Sequence, residues 1–371
     1  MPTASGAGPP GIPPTPVVRT AIALRNRLRA ASDRMLPPQG IAAERTLQLA
    51  EIKMLGVVCD LGVPEAIDAG DRTPAAIAER VGAQADPLER VLRFLASRGW
   101  FRRRRNGSYG LNGRSRGLRR DDPESLRDWI RFVSADWHWH IWSGAVDAVR
   151  TGESAARVAT GRSFFEWVHD ERPDAGETFD AAMRSLSSVA GPLVAGAVDT
   201  EGVRTVCDVG GGTGGVLLSL LAEFPQVTGT LFDLPGVVTG APAVLGGIDP
   251  ARWNVVGGDF FARGDIPPDH DRYLMQAIMH DWGDDRAGVI LDNVRTAMAP
   301  GARIWVVDSV LDPGERNDLS KAVDMLMLAL TEGGRERTQS EWERLFARHG
   351  LRIESQVQLP LLIWVFTLAR R

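Results

Sequence analysis

Cysteine is almost missing, with two in 371 residues. Cys59 and Cys207 each lie in an apolar run, as buried reduced thiols do, so neither a disulfide nor a cysteine metal site is expected. No apolar run reaches the roughly 18 residues that a membrane-spanning helix requires. The N-terminus shows no basic stretch followed by an apolar one, so no secretory leader is expected. A surplus of either charge is lacking too. Lysine and arginine number 43 against 47 aspartates and glutamates, which leaves a net charge of −4 and argues against a globally basic nucleic-acid binder. A cytoplasmic protein that meets neither membrane nor nucleic acid is the expectation. What is present is an ordinary globular composition, 44% apolar, over a length that suggests two domains.

Residues 1–16 hold six prolines, three glycines and no charge, which predicts a disordered tail. An Arg-rich helical pattern with Ile22, Leu24 and Leu28 follows between Val17 and Arg34. From Thr46 to Val63 the apolar residues are too dense for one face. A helix apolar nearly all round must be buried, and in a small domain the cover is usually a partner chain. Thr73-Pro74 and Asp86-Pro87-Leu88-Glu89 each read as a helix start, the second as a capping box. Trp100 to Tyr109 reads as strand, basic turn and strand. Helix, helix, hairpin over 17–118 is a winged-helix pattern. Its Arg90, Arg93 and Arg102 to Arg105 fit either phosphate contacts on DNA or a solvated basic hairpin on a dimerisation module.

Residues 119–190 read as mostly helical and carry five of the eleven tryptophans. Most of these rings must pack in a core. Yet Trp137-His138-Trp139-His140-Ile141-Trp142 is too polar and crowded for one buried face. Trp139, Trp142 and the nearby Phe165 are therefore candidates to line a flat apolar cavity. His138 and His140, two apart and without a third ligand nearby, do not make a metal site.

From 191 to 371 strands and helices alternate, which predicts a doubly wound α/β sheet. Strands are expected at Val203–Val209, Val227–Phe232, Trp253–Val256, Arg272–Ile278, Ala302–Val310, Leu351–Val357 and Leu361–Ala369. The last two have only Gln358-Leu359-Pro360 between them and should be antiparallel. The first strand runs through Asp208 into Gly210-Gly211-Gly212-Thr213-Gly214-Gly215 and then a helix. Glycines there permit positive φ and leave no Cβ between a ligand and the amides. Gly210, Gly212 and Gly215 also satisfy the spacing of nicotinamide folds. Asp208, however, would repel a pyrophosphate and welcome a cation. Asp233 ends the next strand, where it can accept ribose hydroxyls.

Five motifs in order sharpen this: Asp208 to Gly214, Phe232 to Pro235, Gly257 to Phe261, His280 to Asp284 and Gly333 to Thr338. Together they closely resemble the plant-type S-adenosylmethionine-dependent O-methyltransferases, in particular the bacterial branch acting on aromatic polyketides and related natural products. The resemblance implies a Rossmann-like catalytic domain with a reversed last strand. It also implies an N-terminal domain kept for pairing subunits into an intertwined homodimer, and S-adenosyl-L-methionine as cofactor. Gly210 and Gly212 would approach the cofactor by backbone, Asp233 would take its ribose, and Asp259 and Phe260 would flank its adenine. Gln276 stands where plant members carry a lysine. Met183 falls where the family places a substrate-clamping thioether, or is a plain core methionine.

A phenol, with a pKa of about 10, needs a base at neutral pH. His280 follows an apolar strand at the edge where ligands sit and matches the family's base. An orienting acid would hold its imidazole. Asp308 and Glu336 match the family's two acids, but Asp308 is one methylene shorter than the usual glutamate. The direct contact therefore falls to Asp308, to Glu336 or to Asp281, itself on the substrate side. Glu336 could alternatively serve the helix N-terminus begun by Thr338 and Glu341. Methyl transfer to an aromatic hydroxyl, without metal, is the preferred reading. The alternatives are a non-methylating enzyme on the same fold (hydroxylation, decarboxylation or rearrangement) and a DNA-binding regulator.

Overall fold

The computed structural model describes residues 15–314, 318–360 and 363–371. The tail expected over 1–16 lies outside these residues except for Thr15 and Pro16, which begin a helix, Thr15–Asp33. Two compact units divide the chain. One takes residues up to Leu28, Ile141–Trp167 and Ser187–Arg371, and the other takes Arg29–His140 and Val168–Leu186. The stretch 119–190, a single helical piece on sequence grounds, is thus shared between them.

The smaller unit is helical around a two-stranded ribbon. Helix Gln48–Leu61 places Leu55, Val58 and Cys59 in a core with Ile77, Leu88, Leu92 and Leu95. Thr73 caps helix Pro74–Val81 as expected, its side chain accepting from the Ala76 amide. The capping box expected at Asp86 does not form. Helix Ala85–Ser97 starts earlier, because the Leu88 amide already bonds the Gln84 carbonyl at 3.2 Å. Asp86 instead sits in the first turn, where its charge still favours the helix N-terminus. Strands β1 (Arg102–Arg103) and β2 (Tyr109–Gly110) pair antiparallel across the basic turn.

The larger unit holds a seven-stranded sheet of β3 (Thr205–Val209), β4 (Thr228–Asp233), β5 (Trp253–Gly257), β6 (Arg272–Gln276), β7 (Arg303–Ser309), β8 (Leu351–Gln358) and β9 (Ile363–Arg370). The order is β5-β4-β3-β6-β7-β9-β8. β3 to β7 are parallel, and β9 runs antiparallel to both β7 and β8. Parallel strands covered on both faces must be apolar on both. Val206, Cys207 and Val209 of β3 and Tyr273, Leu274 and Met275 of β6 are all buried. One face is packed with Ile290, Trp342 and Phe346, the other with Leu217, Leu220 and Trp305. The strand order reverses between β3 and β6, so the crevice for a ligand opens past their C-terminal ends. The glycine turn leaves β3 there, and the His280 segment leaves β6 beside it.

Candidate active site

Positive φ angles at Gly210 (71°), Gly212 (62°) and Gly214 (92°) bend the chain out of β3. The two ends of this turn differ. A Cβ on Gly210 would lie 2.5 Å from the Ile278 side chain, whereas one on Gly212 would meet nothing within 4 Å. Gly212 therefore presents open backbone to the crevice. Its amide donates to Asp233 Oδ2 at 2.7 Å, and the Leu234 amide donates to Oδ1 at 2.7 Å.

Asp259 is exposed in the loop after β5, and its Oδ1 accepts from the Phe261 amide at 2.8 Å. Phe260 is half-buried beside the turn, and Asn293 holds its carbonyl at 2.9 Å. Gln276 ends β6, half-buried at the same edge. Open glycine backbone, an acceptor pair and a ring at one strand edge suit an amino-acid nucleoside. Asp208 does not join them. It is 1% exposed beneath Gly211, and burial, then the nearby Asp233 charge, push its carboxyl up to about 7. It shapes the turn from below.

After β6 the chain turns sharply. Ala277 has φ 54°, an arrangement that costs a non-glycine residue about 1 kcal/mol and is held by its amide bonding the Val307 carbonyl at 2.9 Å. A short turn, Met279–Asp281, follows, with Met279 fully buried as its anchor. His280 is thereby set against two buried acids. Its Nδ1 donates to Glu336 Oε1 at 2.9 Å and lies 3.3 Å from Asp308 Oδ1, while Nε2 is 3.7 Å from Asp281 Oδ1. Among the three acids left open by the sequence, Glu336 thus makes the hydrogen bond. Ser309 Oγ donates to its other oxygen, and its own amide donates to Asp324 Oδ1 at 2.9 Å.

Burial alone would push the His280 imidazole down. The Asp308 charge, the Glu336 hydrogen bond and the Asp281 charge overcome it and raise the pKa to about 10. Burial raises Asp308 as well, against the pull of His280, and raises Asp281 to about 6. A proton accepted by this imidazole is therefore held firmly. One donor atom each from His280, Asp308 and Glu336 lie within 4.8 Å of one another, so the set could also chelate a cation. The 2.9 Å contact is within hydrogen-bond distance.

Of the candidates for a substrate cavity, Phe165, Trp142 and Asp281 share the unit of His280. Phe165 stacks on Trp282 at 5.9 Å, and Trp142 is exposed. Trp139 and Met183 belong to the other unit. There the Trp139 indole donates to the Val133 carbonyl at 3.0 Å and lies under Lys53. Ser309, Asp324 and Arg337 are not among the residues expected at the site. Arg337 sits inside a motif already singled out, yet nothing in its polar surroundings marks a fully buried guanidinium.

The O-methyltransferase domain family matches residues 142–352, and the O-methyltransferase dimerisation domain matches residues 45–120. A mitomycin biosynthesis 6-O-methyltransferase of Streptomyces lavendulae is 39% identical over 305 residues, covering 81% of this chain and 86% of its own. The solved structure of LaPhzM superposes with a TM-score of 0.84 at 30% identity, covering 91% of this chain and 100% of that one. NcsB1, an O-methyltransferase from neocarzinostatin biosynthesis, gives 0.70 at 30% identity over 87% of this chain and 96% of that one. It was solved with S-adenosylmethionine and 2-hydroxy-5-methyl naphthoic acid.

Proposed function

The chain belongs to the O-methyltransferase family, and on that premise we propose that His280 is the base that takes the proton of an aromatic hydroxyl as that oxygen is methylated. The enzyme is an S-adenosylmethionine-dependent O-methyltransferase for a small aromatic natural product. The cofactor, when bound, supplies a methyl group already activated for transfer. What remains for the chain is to hold the acceptor and remove its proton. With Nδ1–H committed to Glu336, Nε2 is the nitrogen left to receive that proton. Asp308 and Glu336 then stabilise the imidazolium. Gly210, Gly212, Asp233, Asp259, Phe260 and Gln276 would hold the cofactor. Phe165, Trp142 and Asp281 would face the acceptor.

The 2.9 Å contact between His280 and Glu336, backed by a second acid at 3.3 Å, carries this reading. His280→Ala is expected to lower kcat by about 10²- to 10⁴-fold. Its affinity for S-adenosylhomocysteine, measured by calorimetry, should stay near wild type. Loss of both together would make His280 structural. Mass spectrometry of the product should show one added methylene; an added oxygen would point to the non-methylating alternative. Chelators should leave turnover unchanged, since on this reading a proton joins the imidazole to its acids.

We further propose that the chain works as a homodimer joined through the smaller unit, as the dimerisation-domain match suggests.

A further inference from the structure

We infer that Arg337 is a positioning residue that fixes the spacing between His280 and Glu336, an inference resting on the reading of His280 as the base. Arg337 is fully buried. Its Nη1 donates to the Met279 carbonyl at 2.8 Å and its Nη2 to the Trp282 carbonyl at 2.7 Å. One guanidinium therefore grips the backbone on both sides of His280. Its Nε donates to Asp284 Oδ1 at 2.9 Å, and its plane lies 5.1 Å from the Trp342 ring. The backbone of Arg337 is tied just as closely to the acids. Glu336 precedes it directly, and its carbonyl accepts from the Leu311 amide at 2.9 Å, three residues beyond Asp308. The Arg335 amide adds a bond to the His280 carbonyl at 2.7 Å.

Base, hydrogen-bonded acid and second acid come from three separate segments, and this one residue joins them, its side chain holding the His280 segment and its backbone tying Glu336 to the strand of Asp308. Only a planar fork serves that purpose, because it fixes direction as well as charge. A lysine ammonium can replace the charge but not the two-carbonyl grip. Loosening the clamp moves the imidazole relative to Glu336, and displacements of about 1 Å at a catalytic centre can cost about 10²-fold in rate.

The test compares Arg337→Lys, Glu336→Gln, the double variant and His280→Ala by steady-state kinetics across pH. Arg337→Lys should lower kcat by up to about 10²-fold with KM values little changed, and should move the acid limb of kcat/KM to lower pH. If it acts through Glu336, it should cost less than about threefold in the Glu336→Gln background. An unmoved limb together with effects that multiply in the double variant would overturn the inference. Should Arg337→Lys fail to bind S-adenosylhomocysteine, Asp284→Asn carries the same test, since that carboxylate is partly exposed and grips Arg337 from outside. A His280→Ala enzyme with a kcat near that of the wild type would instead remove the base assignment, whatever Arg337 does.

Discussion

His280 keeps 14% of its side chain exposed while Asp308 and Glu336 keep 1% each, so the charges interact with little screening by water. An imidazole accepts a proton only when neutral, and kcat/KM reports ionisation in the free enzyme. With His280 raised to about 10, kcat/KM should climb from neutral into alkaline pH. Glu336→Gln removes a negative charge and a charge-assisted hydrogen bond worth about 1.5–3 kcal/mol. The imidazole pKa then falls, the acid limb moves to lower pH, and kcat drops by about 10- to 100-fold. A pH–rate profile with an unmoved limb would exclude Glu336 as the orienting acid. Stability follows the same proton. The folded-state pKa lies above the ordinary 6.5, so this contribution is complete below about 6.5 and is lost as pH rises through about 10. Burial raises Asp308 as well, which adds a loss in the same direction at lower pH. Calorimetric melting temperatures should therefore fall across the alkaline range, less steeply in His280→Ala. The sequence showed which residue types belonged to this cluster but left three acids open. A one-methylene difference between aspartate and glutamate becomes a distance only once the backbone of β7 and of the Gly333–Thr338 segment is fixed. The depth of Asp208 was hidden for a similar reason: adjacency to glycines says nothing of burial.

The turn after β3 separates two roles that a glycine can play. Gly210→Ala and Gly212→Ala both force an L-residue to positive φ, at about 1–2 kcal/mol each. Only at Gly210 would the new methyl also strike Ile278, two residues before His280. Gly210→Ala should therefore lower the melting temperature further and disturb turnover through the base. Gly212→Ala should fold with a smaller loss while placing a methyl over the open backbone. Its affinity for S-adenosylhomocysteine should fall more than its stability, as calorimetry and thermal melting can separate. Equal losses in both variants would mean that the turn acts as one strained unit. The strands of this unit were legible because buried parallel strands demand continuous apolar runs, and each was found within a few residues of its expected limits. The reversal of β9 was legible from the missing crossover helix. Helix Ala85–Ser97 started early because competition between a side-chain cap and a backbone bond is decided by local geometry that spacing does not encode.

At the scale of the whole chain, the division into units follows contacts and not contiguity, so the split of 119–190 could not be read from a linear sequence. The need for a partner could be read. On helix Gln48–Leu61, Ile52, Gly56 and Cys59 fall at i, i+4 and i+7, one stripe that Leu49 extends by a turn. Gly56 and Cys59 are covered within the chain, whereas Leu49 and Ile52 are 49% and 41% exposed, with Leu47 beside them at 65%. The stripe is thus half finished by one copy. Completing it with a second copy removes several large aliphatic side chains from water, at about 1.5–3 kcal/mol for each one fully buried. A charge placed there must be desolvated or must keep the subunits apart. Leu49→Arg with Ile52→Arg should therefore weaken self-association by at least about 10²-fold, shifting sedimentation velocity from dimer to monomer at micromolar protein. Circular dichroism should remain that of the folded chain, because both positions are already open to solvent in one copy. A variant that still sediments as the wild-type dimer would place the interface on another face of this unit.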